Sequence, residues 1–110
     1  PFYAIQHGET SLFYHHGHKK NLKMHGRLYP AQFPKIWGDT KYRYGHTGHY
    51  HHTEVIEDYG IKIEMHNSMC AKDAYAATGG YFAERSANCI TYHKMHGEVG
   101  RNYVKPGMLI

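Results

Sequence analysis

Cysteine is scarce in this chain of 110 residues: Cys70 and Cys89 are the only two, and they form no CxxC pair. That excludes a disulfide framework and a four-cysteine zinc site, and points to a reducing, cytoplasmic setting. Neither cysteine has a histidine motif beside it, so both read as buried apolar thiols rather than nucleophiles. No apolar run approaches the roughly 18 residues that a membrane span needs, and no signal-like opening is present, so no membrane partner is expected. Carboxylates are also few, with 9 Asp and Glu against 13 Lys and Arg and 12 His, for a net charge of +4 with histidine neutral. A mild basic excess permits a polyanionic partner without demanding one.

The length allows one domain, residues 1–110, and is too short for two. An apolar fraction of 41% and eleven tyrosines argue for a folded chain, because disordered segments are poor in aromatics. The sequence opens on Pro1 without a methionine, which implies a processed start or a segment of something longer.

Strand signals dominate the chain. "FYAI" and "SLFY" flank a polar turn at Gly8 and predict a hairpin; "TEVIED" and "IKIEM" alternate around "YG" as a second, and "NCITYH" and "EVGRNYV" around "KMHG" as a third. From Asn21 to about Phe33 an apolar helical face is interrupted by Gly26 and Pro30, which predicts a broken helix ended by "FPKIWGDT". "KYRY" predicts a short strand opening into a loop, "GHTGHYHH", and "AKDAYAA" a short helix stopped by Gly79 and Gly80. The expected class is α/β or α+β, rich in antiparallel hairpins.

What the chain has in excess is histidine, concentrated in "YHHGHKK", residues 14–20, and "YRYGHTGHYHH", residues 42–52, with Asp39 the sole carboxylate between them. Imidazole is the commonest metal-binding side chain, and His49 and His51 at i, i+2 project to one side of an extended segment. Gly45 and Gly48 allow a ligand-bearing loop to close over an ion, while His16 follows a predicted strand end, so three histidines on two loops can face one site. His7, His25, His66, His93 and His96 lie outside this pattern and read as exposed or structurally bonded. Asp39, in "WGDTK", reads as a turn residue.

In order, "HGH" after a strand, a basic stretch, "PKIWGDTKYRY", "GHYHH" and the closing "NSMCAKDAYAATGGYFAERSANCITYHKMHGEVGRNYV" resemble the C-terminal half of calcineurin-like metallophosphoesterases, in particular phage-borne members grouped with DNA repair exonucleases. The resemblance covers nearly the whole chain. It implies a β-sandwich flanked by helices, two divalent cations such as manganese, iron or zinc, and hydrolysis of phosphoesters. By the same resemblance His16 and His49 are ligands of one ion and His51 of the other, with His18 and His52 as outer or substrate-side groups. The family's acidic motifs, an N-terminal D-x-H, a G-D and a G-N-H-[DE], are not complete here, since "WGDTK" follows the His16 segment instead of preceding it. The implied partner is therefore an N-terminal half, from the same gene or a separate chain.

Lys19, Lys20, Lys23, Arg43 and Arg85 are the candidate contacts to a phosphate backbone, and Tyr42, Tyr44 and Tyr50 could stack on bases. Two alternatives stand beside this expectation. One is a non-enzymatic, histidine-rich module that binds metal or nucleic acid; the other is a small single-metal nuclease of the ββα type, which "MHNSMCAKDAYAA" matches only loosely.

Overall fold

The computed structural model describes residues 2–15, 22–48, 54–58, 60–66, 87–105 and 108. Within them the chain is an α+β fold of seven strands and two helices: β1 (Phe2–His7), β2 (Thr10–His15), α1 (Leu22–Gln32), α2 (Pro34–Asp39), β3 (Tyr42–Thr47), β4 (Glu54–Asp58), β5 (Ile61–Met65), β6 (Ala87–His93) and β7 (Gly97–Val104). No helix among the described residues is long and apolar enough to cross a membrane.

Five strands form one mixed sheet in the order β1-β2-β3-β5-β4, and β6 with β7 form a separate two-stranded sheet. All three predicted hairpins are present: β1 with β2, β4 with β5, and β6 with β7, each antiparallel. The centre of the large sheet is different in kind, because β2 runs parallel to β3 and β3 parallel to β5. Parallel neighbours need a crossover, and α1 with α2 supplies the one between β2 and β3.

Period-two alternation sorts the side chains of these central strands onto two faces. Phe13 from β2 and Ile61, Ile63 and Met65 from β5 point to one face, where they form the buried core with Tyr29 of α1. The Phe13 and Tyr29 rings stack at 5.0 Å, with Trp37 of α2 5.8 Å from Phe13. Gly45 of β3 lies directly under the Tyr29 ring, since a Cβ there would stand 2.9 Å from Tyr29 Cε2 and 3.2 Å from Ile63 Cγ1.

The helical layer departs from expectation. Gly26 and Pro30 do not break α1, which runs unbroken through both. A Cβ on Gly26 would come within 3.3 Å of Ile63 Cδ1, so the missing side chain lets the helix approach β5. Pro30 sits in the last turn, and the Tyr29 carbonyl still accepts from the Phe33 amide at 2.8 Å. "FPKIWGDT" does not end the helical region but forms α2, with proline in its first turn, where no amide donor is needed. Asp39 is consequently the last residue of α2, paired to Lys35 at 3.3 Å, and not a turn residue. Beyond it the Thr40 hydroxyl donates to the Ile36 carbonyl at 2.7 Å and lies 2.8 Å from Ser11 Oγ, fastening α2 to β2.

The opposite face of the sheet is covered by the β6–β7 hairpin. Glu9 donates its amide to the Lys94 carbonyl at 2.7 Å, Thr10 Oγ1 donates to the His93 carbonyl at 2.8 Å, and the Glu98 amide donates to the Tyr44 hydroxyl at 2.9 Å. Along β6 burial alternates, so Asn88, Ile90 and Tyr92 are half-buried while Cys89 is exposed. The expectation of a buried thiol is wrong for Cys89, because strand alternation turns it outward. Cys70 and the predicted helix "AKDAYAA" lie outside the described residues.

Candidate metal centre at the carboxyl edge of the sheet

Three parallel strands that end together concentrate whatever follows them at one edge of the sheet. β2 and β3 finish in register, with His15 opposite Thr47, and Thr47 in turn lies opposite Met65 at the end of β5. The described strand ends that precede "HGH" and "GHYHH" in the sequence, and His66, therefore lie at neighbouring points on the carboxyl edge of the sheet. In open α/β sheets this is the edge outside which ligands bind.

His16, His18, Lys19, Lys20, His49, Tyr50, His51, His52 and Arg85 lie outside the described residues. Lys23 belongs to α1, with its side chain outside the description. Arg43 is not brought to the carboxyl edge. It lies near the start of β3, four residues before Thr47, which at about 3.3 Å per residue is about 13 Å away. Its guanidinium stands 4.5 Å over the Trp37 ring, and its Nε donates to the Trp37 carbonyl at 3.0 Å.

The structure does assemble a set of donors that sequence reasoning passed over. The glycines of "GHTG" predict the start of a loop, but β3 continues through Gly45, His46 and Thr47. Alternation then aims Tyr44 and His46 at the hairpin, and Lys62, Glu64 and His66 likewise. His46 pairs with Glu64 across the parallel ladder, and the His66 amide donates to the Thr47 carbonyl at 2.9 Å. His46, Glu64 and His66 thus each offer one donor atom, all within 4.8 Å of one another, and this group could hold a metal ion. Two imidazoles and a carboxylate are a donor set that zinc uses with a fourth, open position.

The inner imidazole nitrogens face each other, His46 Nδ1 lying 2.7 Å from His66 Nε2. The outer ones face the hairpin: His46 Nε2 is 2.5 Å from the Tyr92 hydroxyl, and His66 Nδ1 is 3.2 Å from the Asn88 amide nitrogen. Glu64, only 3% exposed, accepts from Arg101 through both oxygens, with Nη2 to Oε1 at 2.6 Å. Arg101 is held in turn by Glu98 Oε1 at 2.9 Å.

These contacts set the charge states. Burial pushes the His46 imidazole down to about 4, helped by His66 and opposed by Glu64. Burial also lowers His66, against the pull of Glu64. For Glu64 burial acts upward, but the hydrogen bond from Arg101 and the two imidazoles together hold the carboxyl below its usual value. Burial, reinforced by Glu98, drives the Tyr92 phenol well above its ordinary range. At neutral pH the group is two neutral imidazoles and one carboxylate, the forms that ligate.

Comparison with known proteins finds no matching family model, no matching curated protein and no matching solved structure.

Proposed function

We propose that this chain is the histidine-donating, C-terminal half of a metal-dependent phosphoesterase directed at nucleic acid. The observation that supports the reading is the parallel register of β2 and β3, whose ends, the residues before "HGH" and "GHYHH" in the sequence, lie side by side at one sheet edge. Histidines separated by some thirty residues of sequence need such a topology to serve one centre, and antiparallel neighbours would have sent them to opposite edges.

In this reading His16 and His49 ligate one ion and His51 the other, with His18 and His52 orienting them or meeting substrate. Two bound divalent cations would stabilise both oxygens of an in-line displacement at phosphorus and activate the attacking water. Lys19, Lys20, Lys23 and Arg85 would draw a phosphate backbone toward that edge. Arg43 stands over Trp37 at the far end of β3, away from that edge. The carboxylates that must bridge two like-charged ions come from the partner half, because the chain lacks complete D-x-H and G-N-H-[DE] motifs.

The test is hydrolysis of a chromogenic phosphodiester with manganese, with and without an acidic half supplied in trans or by fusion. Turnover should appear only in the completed form and should fall at least a hundredfold in His49→Ala and His51→Ala. Absence of turnover in the completed form refutes the proposal. A second reading, a metal-binding module without catalysis, is favoured by the His46, Glu64 and His66 group, whose donors are already gathered within this chain. It predicts metal binding that no partner converts into turnover.

A further inference from the structure

The three donors on the central sheet have three outer partners, and all of them come from the β6–β7 hairpin: Tyr92 on His46, Asn88 on His66 and Arg101 on Glu64. Ligating histidines usually give their second ring N–H to such a partner, which fixes tautomer and ring orientation. Here those partners stand ready on both imidazoles.

In the metal-free chain the contact between His46 Nδ1 and His66 Nε2 requires one of these nitrogens to carry a proton and the other to accept it. With an ion between them both inner nitrogens offer lone pairs, so both outer nitrogens must carry protons. His46 Nε2–H then donates to the Tyr92 oxygen, and His66 Nδ1–H, 3.8 Å from Glu64 Oε2, needs an acceptor within hydrogen-bond reach. Asn88 Oδ1 is buried with no hydrogen-bond partner among the described residues. A half-turn of that amide, whose oxygen and nitrogen occupy equivalent positions, presents Oδ1 to His66 Nδ1 and supplies the acceptor. Arg101 stays paired to Glu98 when a Glu64 oxygen turns to an ion, so the guanidinium is not stranded.

We propose that His46, Glu64 and His66 form a mononuclear site for a zinc-class divalent ion, separate from the strand-edge histidines, that locks the β6–β7 hairpin onto the five-stranded sheet. Tetrahedral ligation at roughly 2.0–2.1 Å sets two nitrogens about 3.3 Å apart, so the inner nitrogens separate by about 0.6 Å from their 2.7 Å contact. The proposal does not depend on the phosphoesterase reading, and its test does not use turnover.

The experiment is amide hydrogen exchange on the full chain, with and without one equivalent of Zn2+, together with titration by Co2+ followed through its visible bands. Zinc should slow exchange across Ala87–His93 and Gly97–Val104 at least tenfold, and Co2+ should give the intense bands of a tetrahedral site. A variant lacking two of the strand-edge histidines, His49→Ala with His51→Ala, should keep both signals, and His66→Gln should lose both. Unchanged hairpin exchange in the wild-type chain on adding zinc overturns the proposal, as does full protection in His66→Gln. Should His66→Gln fail to fold, Asn88→Ala keeps every ligand and removes one outer partner: affinity should drop 10–100-fold, and an unchanged affinity overturns the assignment.

Discussion

Replacing Arg101 with alanine asks how much of the hairpin's hold on the sheet is electrostatic. Glu64 is 3% exposed and its side chain accepts from Arg101 through both oxygens, while the Arg101 side chain is itself 16% exposed. Removing one partner of a buried pair costs about 3–5 kcal/mol, because the other charge is left without compensation. The partial exposure of Arg101 lets water reach the gap, which places the loss near 3 kcal/mol. For a chain of this size that corresponds to a fall in Tm of about 12–24 °C. The pH dependence identifies the cause. In the wild-type chain the folded Glu64 carboxyl lies below its usual value, so the pair's contribution is complete above the unfolded value and fades as pH falls through the depressed one. In Arg101→Ala the main downward influence is gone and burial raises the carboxyl. Glu64 then takes up a proton on mild acidification, and the buried charge disappears. The stability gap between variant and wild type, measured by urea denaturation, should therefore be widest near pH 7 and narrow toward pH 4.5. Arg101 also lowers both His46 and His66, so its loss lets the imidazoles take up protons more readily and narrows the gap in the same direction on acidification. Glu64→Met combined with Arg101→Met should recover most of the loss, since replacing both partners of a buried pair by apolar residues of similar volume is close to neutral. A gap below about 0.5 kcal/mol at pH 7, or one that widens on acidification, refutes the reasoning.

Gly45→Ala tests the close approach of α1 to the sheet: a Cβ 2.9 Å from Tyr29 Cε2 must displace a ring that is fully buried against Phe13, and should cost about 1–3 kcal/mol in urea denaturation. Wild-type stability itself should decline as pH falls from about 6.5 toward 4, because the unfolded chain protonates at an ordinary imidazole value while folded His46 resists until about 4. His46→Gln should flatten that part of the profile, and a wild-type midpoint constant between pH 7 and 4.5 would contradict the burial argument.

The hairpins were legible because each strand carries its own alternation and its own turn. "IKIEM" beside "TEVIED" announces its inner and outer faces, and the turns use glycines at positive φ, Gly8 at 62°, Gly60 at 83° and Gly97 at 73°. What failed were signals whose meaning depends on a distant neighbour. Gly26 reads locally as a helix breaker, and only the position of Ile63 makes it a contact surface. Gly45 reads as a loop residue until Tyr29 is placed above it. Local preference loses in both cases because the space a glycine leaves is filled from another part of the chain.

The same logic explains why the donor group went unread while the histidine-rich segments drew attention. Lys62, Glu64 and His66 share a face by simple alternation, and so do Tyr44 and His46; nothing in either segment says that the two face each other. That follows from β3 and β5 being parallel neighbours, with His46 opposite Glu64, although "GHYHH" and the whole of β4 separate the two strands in sequence. A hairpin from the last quarter of the chain then buries the group and supplies all three orienting side chains. A carboxylate 3% exposed and two neutral imidazoles held in contact carry a desolvation cost that isolated surface histidines never meet. The density of partners around them offsets that cost, which is why the chemistry of this edge lies in the pairing of strands more than in the count of histidines.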